Sequence, residues 1–160
     1  NLELRYDGEG LQHMILNGSD VTEEIRTPEM SRVASLISAQ PAVRAFLLDL
    51  QRDMAKRYSV MMDGRDIGTV VLPGADVKVY LTASPEVRAR RRLGDLEAQG
   101  LTVSYEQVLE EIRQRDHQDM TRSIAPLKQA KDAVVLDTSS LNQEESLAAL
   151  KAIVEERIAR

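Results

Sequence analysis

The segment that decides the fold lies near the middle of the chain, where residues 60–68 read Val-Met-Met-Asp-Gly-Arg-Asp-Ile-Gly. Residues 60–62 are apolar and predict a short buried strand, and a polar turn follows them directly. In open parallel sheets, ligands lie beyond the carboxyl ends of the strands. The glycines of the turn allow close backbone approach, Arg65 can hold a phosphate, and Asp63 and Asp66 can accept hydrogen bonds or hold a hydrated metal ion. The segment therefore predicts a ligand site, with an ordinary Asp-Gly turn as the alternative.

Strand and helix patterns alternate on either side of this segment. Residues 77–81 and 133–136 are apolar runs that predict two further strands. Three helix starts carry a capping residue followed by proline or a capping-box pair: Thr27-Pro28, Ser84-Pro85, and Ser104 with Gln107. Alternating strands and helices predict a parallel α/β sheet, and nearly all-apolar strands predict a sheet that is covered on both faces.

The first 25 residues show a different pattern. Short alternating segments at 2–6 and 13–16 are separated by turn residues, among them Asp7-Gly8, and Asn17-Gly18 follows the second segment. Such a pattern predicts a small antiparallel sheet. A helix is expected to follow from Pro28 to about residue 37, and Pro41 is expected to open another.

The composition excludes several classes of protein. The net charge of −5 argues against a general nucleic-acid binder, which normally carries a basic surplus. No apolar run approaches the roughly 20 residues of a membrane span, and no signal-peptide pattern opens the chain. The absence of cysteine excludes disulfides and thiolate metal sites. These features predict a cytoplasmic enzyme with neither nucleic acid nor a membrane as a partner.

Two groups of arginines are candidates for binding an anion. Arg115, Asp119 and Arg122 are spaced by four and then three residues, so they share one helix face that continues an apolar stripe. A second group of four arginines lies between residues 88 and 92. Each group has two interpretations, phosphate contacts or ordinary surface ion pairs. The spacing alone favours ion pairs.

Taken together, these segments resemble the bacterial cytidylate kinase family. The central motif is Asp-Gly-Arg-Asp-Ile-Gly-Thr-Val-Val-Leu-Pro at 63–73. Further matching segments occur in order along nearly the whole chain: 24–27, 34–35, 77–84, 88–92, 112–116, Asp119, Arg122 and 125–127. The resemblance implies an α/β fold, with an incomplete parallel-sheet P-loop kinase core, a small antiparallel-sheet-plus-helix substrate-binding insert and a helical lid. The implied divisions are 1–40 for the nucleoside-monophosphate-binding insert, 41–84 for the core, 85–125 for the lid with its flanking helices, and 126–160 for the C-terminal strand and helix of the core.

The resemblance also implies an activity and its residues. The reaction is ATP-dependent phosphorylation of CMP and dCMP, with Mg²⁺ bridging the phosphates of ATP. Three residues are implied to read the cytosine ring: Ser35, Arg44 and Asp66. Arg65 is implied to hold the phosphate of CMP, and Arg115 and Asp119 are implied to lie near the ribose and the phosphates. Arg122 is implied to close over the substrate, and Arg91 to contact ATP from the lid. Arg65, Arg115 and Arg122 are the implied catalytic residues, and Asp63 is expected to contact the metal ion through water.

The phosphate loop of that family has no counterpart in these 160 residues, because no window fits G-x-x-x-x-G-K-[ST]. Such a loop supplies backbone N–H groups, a lysine and a Mg²⁺-binding hydroxyl to phosphoryl transfer. The chain alone is therefore expected to be inactive, whereas its parent protein is expected to be an enzyme. Two other interpretations stay open: a non-catalytic nucleotide-binding or interaction module, and a kinase for another nucleoside monophosphate such as UMP or AMP.

Overall fold

The computed structural model describes residues 1–38 and 40–159, apart from the side chain of Ser35. Within these residues the chain forms two compact units, one made by residues 1–49 and one that begins at residue 50. The first unit contains an antiparallel sheet, and the second contains a parallel strand pair with helices. The predicted mixed α/β class with parallel pairing is thereby confirmed.

The first unit is built on a three-stranded antiparallel sheet in the order β1-β2-β3. The strands are β1 (Leu2–Tyr6), β2 (Gln12–Leu16) and β3 (Ser19–Asp20). Gly18 follows β2 with a φ of +89°, a conformation that glycine adopts without steric cost, and this permits the tight turn into β3. Helix α1 (Pro28–Ile37) follows a short 3₁₀ turn and is capped by Thr27, as predicted. Helix α2 spans Pro41–Arg57.

The second unit pairs β4 (Val79–Thr82) with β5 (Val134–Asp137) in parallel. Between these strands lie two helices, α3 (Pro85–Ala98) and α4 (Tyr105–Thr121), and α5 (Gln143–Ile158) follows β5. The capping box predicted at the start of α4 is present. A second capping box, formed by Asn142 and Glu145, begins α5.

Residues 60–62 do not form the predicted strand. Met61 is 91% exposed, and within the described ranges the parallel pair of β4 and β5 takes no third strand. A strand forms only where its backbone pairs with a neighbour, and an apolar run cannot supply that neighbour by itself. The predicted cover on both faces of the sheet is also wrong for the described residues, since Leu81 is 60% exposed and Val135 is 50% exposed.

The two helices between β4 and β5 pack against each other as a hairpin. Its buried centre consists of Ala89, Leu96 and Val108. Two ion pairs join the N-terminal end of α3 to the C-terminal half of α4. Arg88 donates two hydrogen bonds to the carboxylate of Asp116, of 2.9 and 2.5 Å, and Arg113 pairs with Glu86 at 2.8 Å. This packing fixes the C-terminal end of α4, where the polar residues of interest lie.

A histidine on β2 contacts both the turn after β1 and strand β3 of the first unit. The Nδ1 atom of His13 lies 2.7 Å from the Asp20 carboxylate, and its Nε2 atom lies 3.4 Å from that of Asp7. The neighbouring cation is Arg5, which is the cross-strand partner of His13 in the ladder. The hydrogen bonds to Asp20 first and to Asp7 second raise the pKa of His13 above its ordinary value of 6.5, because the protonated ring donates both. Hydrogen bonds from Thr22 and then His13 lower the pKa of Asp20 to about 2.

We expect a pH dependence of stability from this histidine. Because its pKa is raised by folding, its stabilising contribution is complete below pH 6.5 and is lost as the pH rises through the folded-state pKa. In an NMR titration, the midpoint of His13 should lie above 6.5 and should fall in Asp20→Asn. The control is Asp53→Asn, because Asp53 pairs only with exposed Lys56 among the described residues. A midpoint that Asp20→Asn leaves in place would contradict the assignment.

Candidate functional site

The turn after residues 60–62 is shaped by close packing around Asp66. A Cβ atom added to Gly64 would lie 2.9 Å from a side-chain carbon of Ile67, so this position excludes larger residues unless Ile67 moves. The carbonyl of Asp66 accepts hydrogen bonds from the amides of Thr69, Val70 and Val71, at 3.3, 2.8 and 3.2 Å. These bonds begin a π-helical turn, Ile67–Val71, a type of turn often found at functional sites. The backbone of Asp66 is thereby held at the start of the turn.

The C-terminal end of α4 supplies the facing residues. Asp119 is buried in the last turn of the helix, and its carbonyl accepts a hydrogen bond from the amide of Leu127 at 2.8 Å. Arg122 is the first residue beyond α4, and its Nε atom donates to the carbonyl of Ala125 at 2.7 Å. Ala125 has a positive φ of +48°, which is uncommon for alanine. The chain therefore folds back at once after the helix, and this return segment holds the backbone of Asp119 and the side chain of Arg122.

Four charged side chains from these two segments meet. The Nε atom of Arg65 donates a hydrogen bond to Asp119 at 3.0 Å. The guanidinium of Arg122 lies 3.8 Å from Asp119 and 3.6 Å from Asp66. The side chains of Asp66, Asp119 and Arg122 are between 10 and 14% exposed, whereas that of Arg65 is 41% exposed. We call this group, Arg65, Asp66, Asp119 and Arg122, the charged cluster.

One atom of the charged cluster lacks a hydrogen bond. The Nη2 atom of Arg122 is buried, and no described residue accepts from it, since its contact with Asp66 is too long for a hydrogen bond. Leaving a buried donor without an acceptor costs about 1–3 kcal/mol, so buried donors are rarely left unpaired without a reason. Arg65 donates to Asp119 from Nε alone among the described residues, and its side chain is 41% exposed. The cluster therefore offers guanidinium donors to an anionic ligand.

Arg115 and Arg91 do not join the charged cluster. Arg115 is exposed on α4, one turn before Asp119. Arg91 donates to the carbonyls of Thr138 and Leu141, at 2.6 and 2.9 Å, and so ties α3 to the segment after β5. The helix spacing suggested a single face for Arg115, Asp119 and Arg122. In the structure α4 ends at Thr121, and only the second and third of these residues meet.

The remaining predicted site residues are Arg44, Ser35 and Asp63. Arg44 lies on α2 in the first unit, where its Nη1 atom donates to the carbonyl of Ser38 at 3.2 Å. Ser35 lies on α1, and its side chain is outside the described residues. Asp63 is exposed just before the turn, and the described part of the chain contains no group of three potential metal ligands from His, Cys, Asp or Glu. The proposed roles of these residues therefore stay predictions.

Two residues near the cluster carry roles that the sequence analysis missed. Asp116 neutralises Arg88, whose pKa is raised chiefly by the hydrogen bonds that it donates to that carboxylate. This supports ion pairing over phosphate contact for Arg88. Arg52 donates to two carbonyls of the π-helical turn. A sequence signal existed only for Arg88 and Asp116, as opposite charges on two neighbouring predicted helices.

The fold and the charged cluster together indicate a class of protein. A parallel α/β unit, with arginines and carboxylates gathered where a turn meets a helix end, is typical of proteins that bind a phosphorylated small molecule. None of the described helices is both long enough and apolar enough to cross a lipid bilayer.

The chain belongs to the cytidylate kinase family, whose family model, described as "Cytidylate kinase", matches residues 1–156. The cytidylate kinase of Carboxydothermus hydrogenoformans is 50% identical over 147 residues, which are 92% of this chain and 66% of that protein. The cytidylate kinase of Mycobacterium leprae is 53% identical over 143 residues, 89% of this chain and 64% of that protein. That of Syntrophotalea carbinolica is 44% identical over 158 residues, 98% of this chain and 67% of that protein. The chain thus spans just under two thirds of the length of the first two relatives.

Proposed function

We propose that the protein to which this chain belongs transfers a phosphoryl group from ATP to CMP or dCMP. The observation that carries the proposal is the charged cluster, in which two guanidinium groups face a shared site and the Nη2 atom of Arg122 lacks an acceptor among the described residues. Family membership supports the same reaction, because the relatives are named cytidylate kinases.

The cluster suits both ends of a cytidine monophosphate. Arginine forms bidentate hydrogen bonds with phosphate oxygens, so Arg65 and Arg122 are proposed to hold the phosphate of CMP. The carboxylate of Asp66 is proposed to accept a hydrogen bond from the 4-amino group of cytosine. Uracil carries a carbonyl oxygen in that place, which a carboxylate repels. Asp119 is proposed to meet the ribose once Arg65 turns from it toward the phosphate.

The remaining predicted residues complete the proposal. Arg44 and Ser35 are proposed to donate to the O2 and N3 atoms of the ring, and exposed Arg115 to approach the ribose and phosphates. Arg91 is proposed for the ATP side, where it would have to release the carbonyls that it binds here. Residues 85–125 are proposed to move as the lid, with the paired helices α3 and α4 moving together because their ion pairs join them.

The chemistry requires positioning and charge neutralisation more than covalent assistance. The attacking group is already a phosphate oxygen of CMP, so no general base has to generate a nucleophile. Phosphoryl transfer spreads negative charge over the transferred oxygens, and guanidinium groups stabilise that charge. Mg²⁺, when bound with ATP, would neutralise the phosphates of the donor, and Asp63 is proposed to contact it through water.

Turnover of four nucleotides tests the proposed function. The full-length protein should be assayed with ATP and Mg²⁺ against CMP, dCMP, UMP and AMP, with formation of ADP and of each nucleoside diphosphate measured. We expect CMP and dCMP to be the preferred acceptors. Equal or faster turnover of UMP or AMP would overturn the assignment of the base. Binding of CMP without any turnover would indicate a non-catalytic nucleotide-binding protein instead.

A further inference from the structure

The π-helical turn that follows Asp66 ends with carbonyl groups that need donors. Ile67–Val71 forms a single wide turn, which the hydrogen bond from Leu72 to the carbonyl of Ile67 closes at 2.7 Å. The carbonyls at the end of a helical turn have no partners within it and must find them elsewhere. In a turn that contains buried Val71, an unmet carbonyl would be costly.

Arg52 on α2 supplies these donors. Its Nε atom donates to the carbonyl of Val71 at 3.1 Å, and its Nη2 atom donates to that of Val70 at 2.8 Å. The planar fork of arginine meets two neighbouring oxygens at once, whereas the ammonium group of lysine acts as a point charge. The positive charge also lies at the carbonyl end of the turn, where helix dipoles favour cations. Arg52 is half-buried and therefore held in place.

The same two residues connect Arg52 to Asp66. The amides of Val70 and Val71 donate to the carbonyl of Asp66, while their carbonyls accept from Arg52. The hydrogen bonds therefore run in series from α2 through the turn to the backbone of Asp66. The side chain of Asp66 in turn lies 3.6 Å from the guanidinium of Arg122.

We infer that Arg52 is a positioning residue for monophosphate recognition: it sets the turn that places Arg65 and Asp66, without touching the nucleotide itself. The inference deepens the proposed function and rests on it. Displacement of a recognition group by about 1 Å can reduce activity by up to a hundredfold, so the loss of both hydrogen bonds should be measurable at the monophosphate site.

Three variants of the full-length protein test this inference. Arg52→Met keeps an unbranched stem and removes both donors, and Arg52→Lys keeps the charge but not the fork. The control is Arg57→Met, because Arg57 lies on the same helix with an exposed side chain. Steady-state kinetics would give KM for CMP, UMP and ATP, and hydrogen exchange would be followed at residues 69–72.

Arg52→Met should raise KM for CMP by about tenfold and lower the CMP-to-UMP preference. KM for ATP should stay within about twofold of that of Arg57→Met. A general loss of structure would instead change KM for both substrates alike. Arg52→Lys should fall between the wild type and Arg52→Met. Amides 69–72 should exchange faster in Arg52→Met than in the control.

The outcomes separate this inference from the proposed function. If the wild type shows no preference for CMP over UMP, the proposed function is overturned. The hydrogen exchange of amides 69–72 in Arg52→Met then tests by itself whether Arg52 positions the turn. A wild type that prefers CMP, together with an unchanged KM and preference in both Arg52 variants, overturns the inference. If Arg52→Met does not fold, Arg52→Lys decides: a raised KM for CMP at an unchanged KM for ATP supports the role, and wild-type kinetics overturn it.

Discussion

Replacing Arg122 by methionine should lower kcat/KM for CMP by about a thousandfold in the full-length protein, because an arginine that stabilises charge in phosphoryl transfer contributes about 10³-fold or more. Arg122 is the only residue of the charged cluster that approaches both Asp66 and Asp119 in the described part of the chain. Its Nη2 atom is also the buried donor without an acceptor. The substitution would therefore remove the donor. It would also remove the positive charge that lies beside the nearly buried carboxylates of Asp66 and Asp119.

The effect on stability has to be separated from the effect on activity. Arg122→Met should lower the free energy of unfolding by about 1–3 kcal/mol, the range for leaving a buried polar group unmet. Kinetics should thus be measured at a temperature where the variant is folded. The matched control is Arg113→Met, since Arg113 lies on α4 and makes an exposed ion pair with Glu86. An equal loss of kcat/KM in both variants, or a loss below tenfold in Arg122→Met, would contradict the role of Arg122.

Replacing Asp66 should change the choice of base. A hydrogen bond that involves a charged group contributes about 1.5–3 kcal/mol, so Asp66→Ala should weaken CMP binding by about ten- to a hundredfold. UMP should lose less, because the repulsion between the carboxylate and its O4 atom disappears as well. Asp66→Asn should reduce the preference for CMP over UMP further, since the side-chain amide can donate a hydrogen bond to the O4 atom of uracil. The measurement is the affinity for CMP and UMP in each variant.

The turn itself should survive these substitutions, because the backbone carbonyl of Asp66, not its side chain, accepts the bonds from residues 69–71. Asp76→Asn is the control: it removes an exposed carboxylate a few residues beyond the turn. An unchanged ratio of CMP to UMP affinity in Asp66→Ala would show that Asp66 does not read the base. Its role would then be structural.

Local signals predicted the helices well. Thr27, Ser84 and Ser104 each cap the helix that was expected after them, because a cap depends on residues within three positions. The apolar runs near 77–81 and 133–136 became β4 and β5, which pair in parallel. Residues 60–62 carried a similar apolar signal without forming a strand, since strand formation depends on a neighbour that no local pattern reveals.

The sequence indicated which residues belong to the candidate site, but it did not indicate how they are arranged in space. Arg65, Asp66, Asp119 and Arg122 were all expected from the resemblance, and they meet in the structure. Arg65 and Asp119 are 54 positions apart in the sequence, so their hydrogen bond is a product of tertiary packing. The role of Arg52 was equally hidden, because it depends on a π-helical turn and on carbonyls that sequence patterns do not report.

The most direct test of the central claim is a crystal structure of the full-length protein with CMP. We expect phosphate oxygens within hydrogen-bond distance of Arg65 and of the Nη2 atom of Arg122, and the 4-amino group of cytosine beside the carboxylate of Asp66. A CMP molecule with its phosphate on the arginines of α3, and with the pairs of the charged cluster unchanged, would contradict that claim.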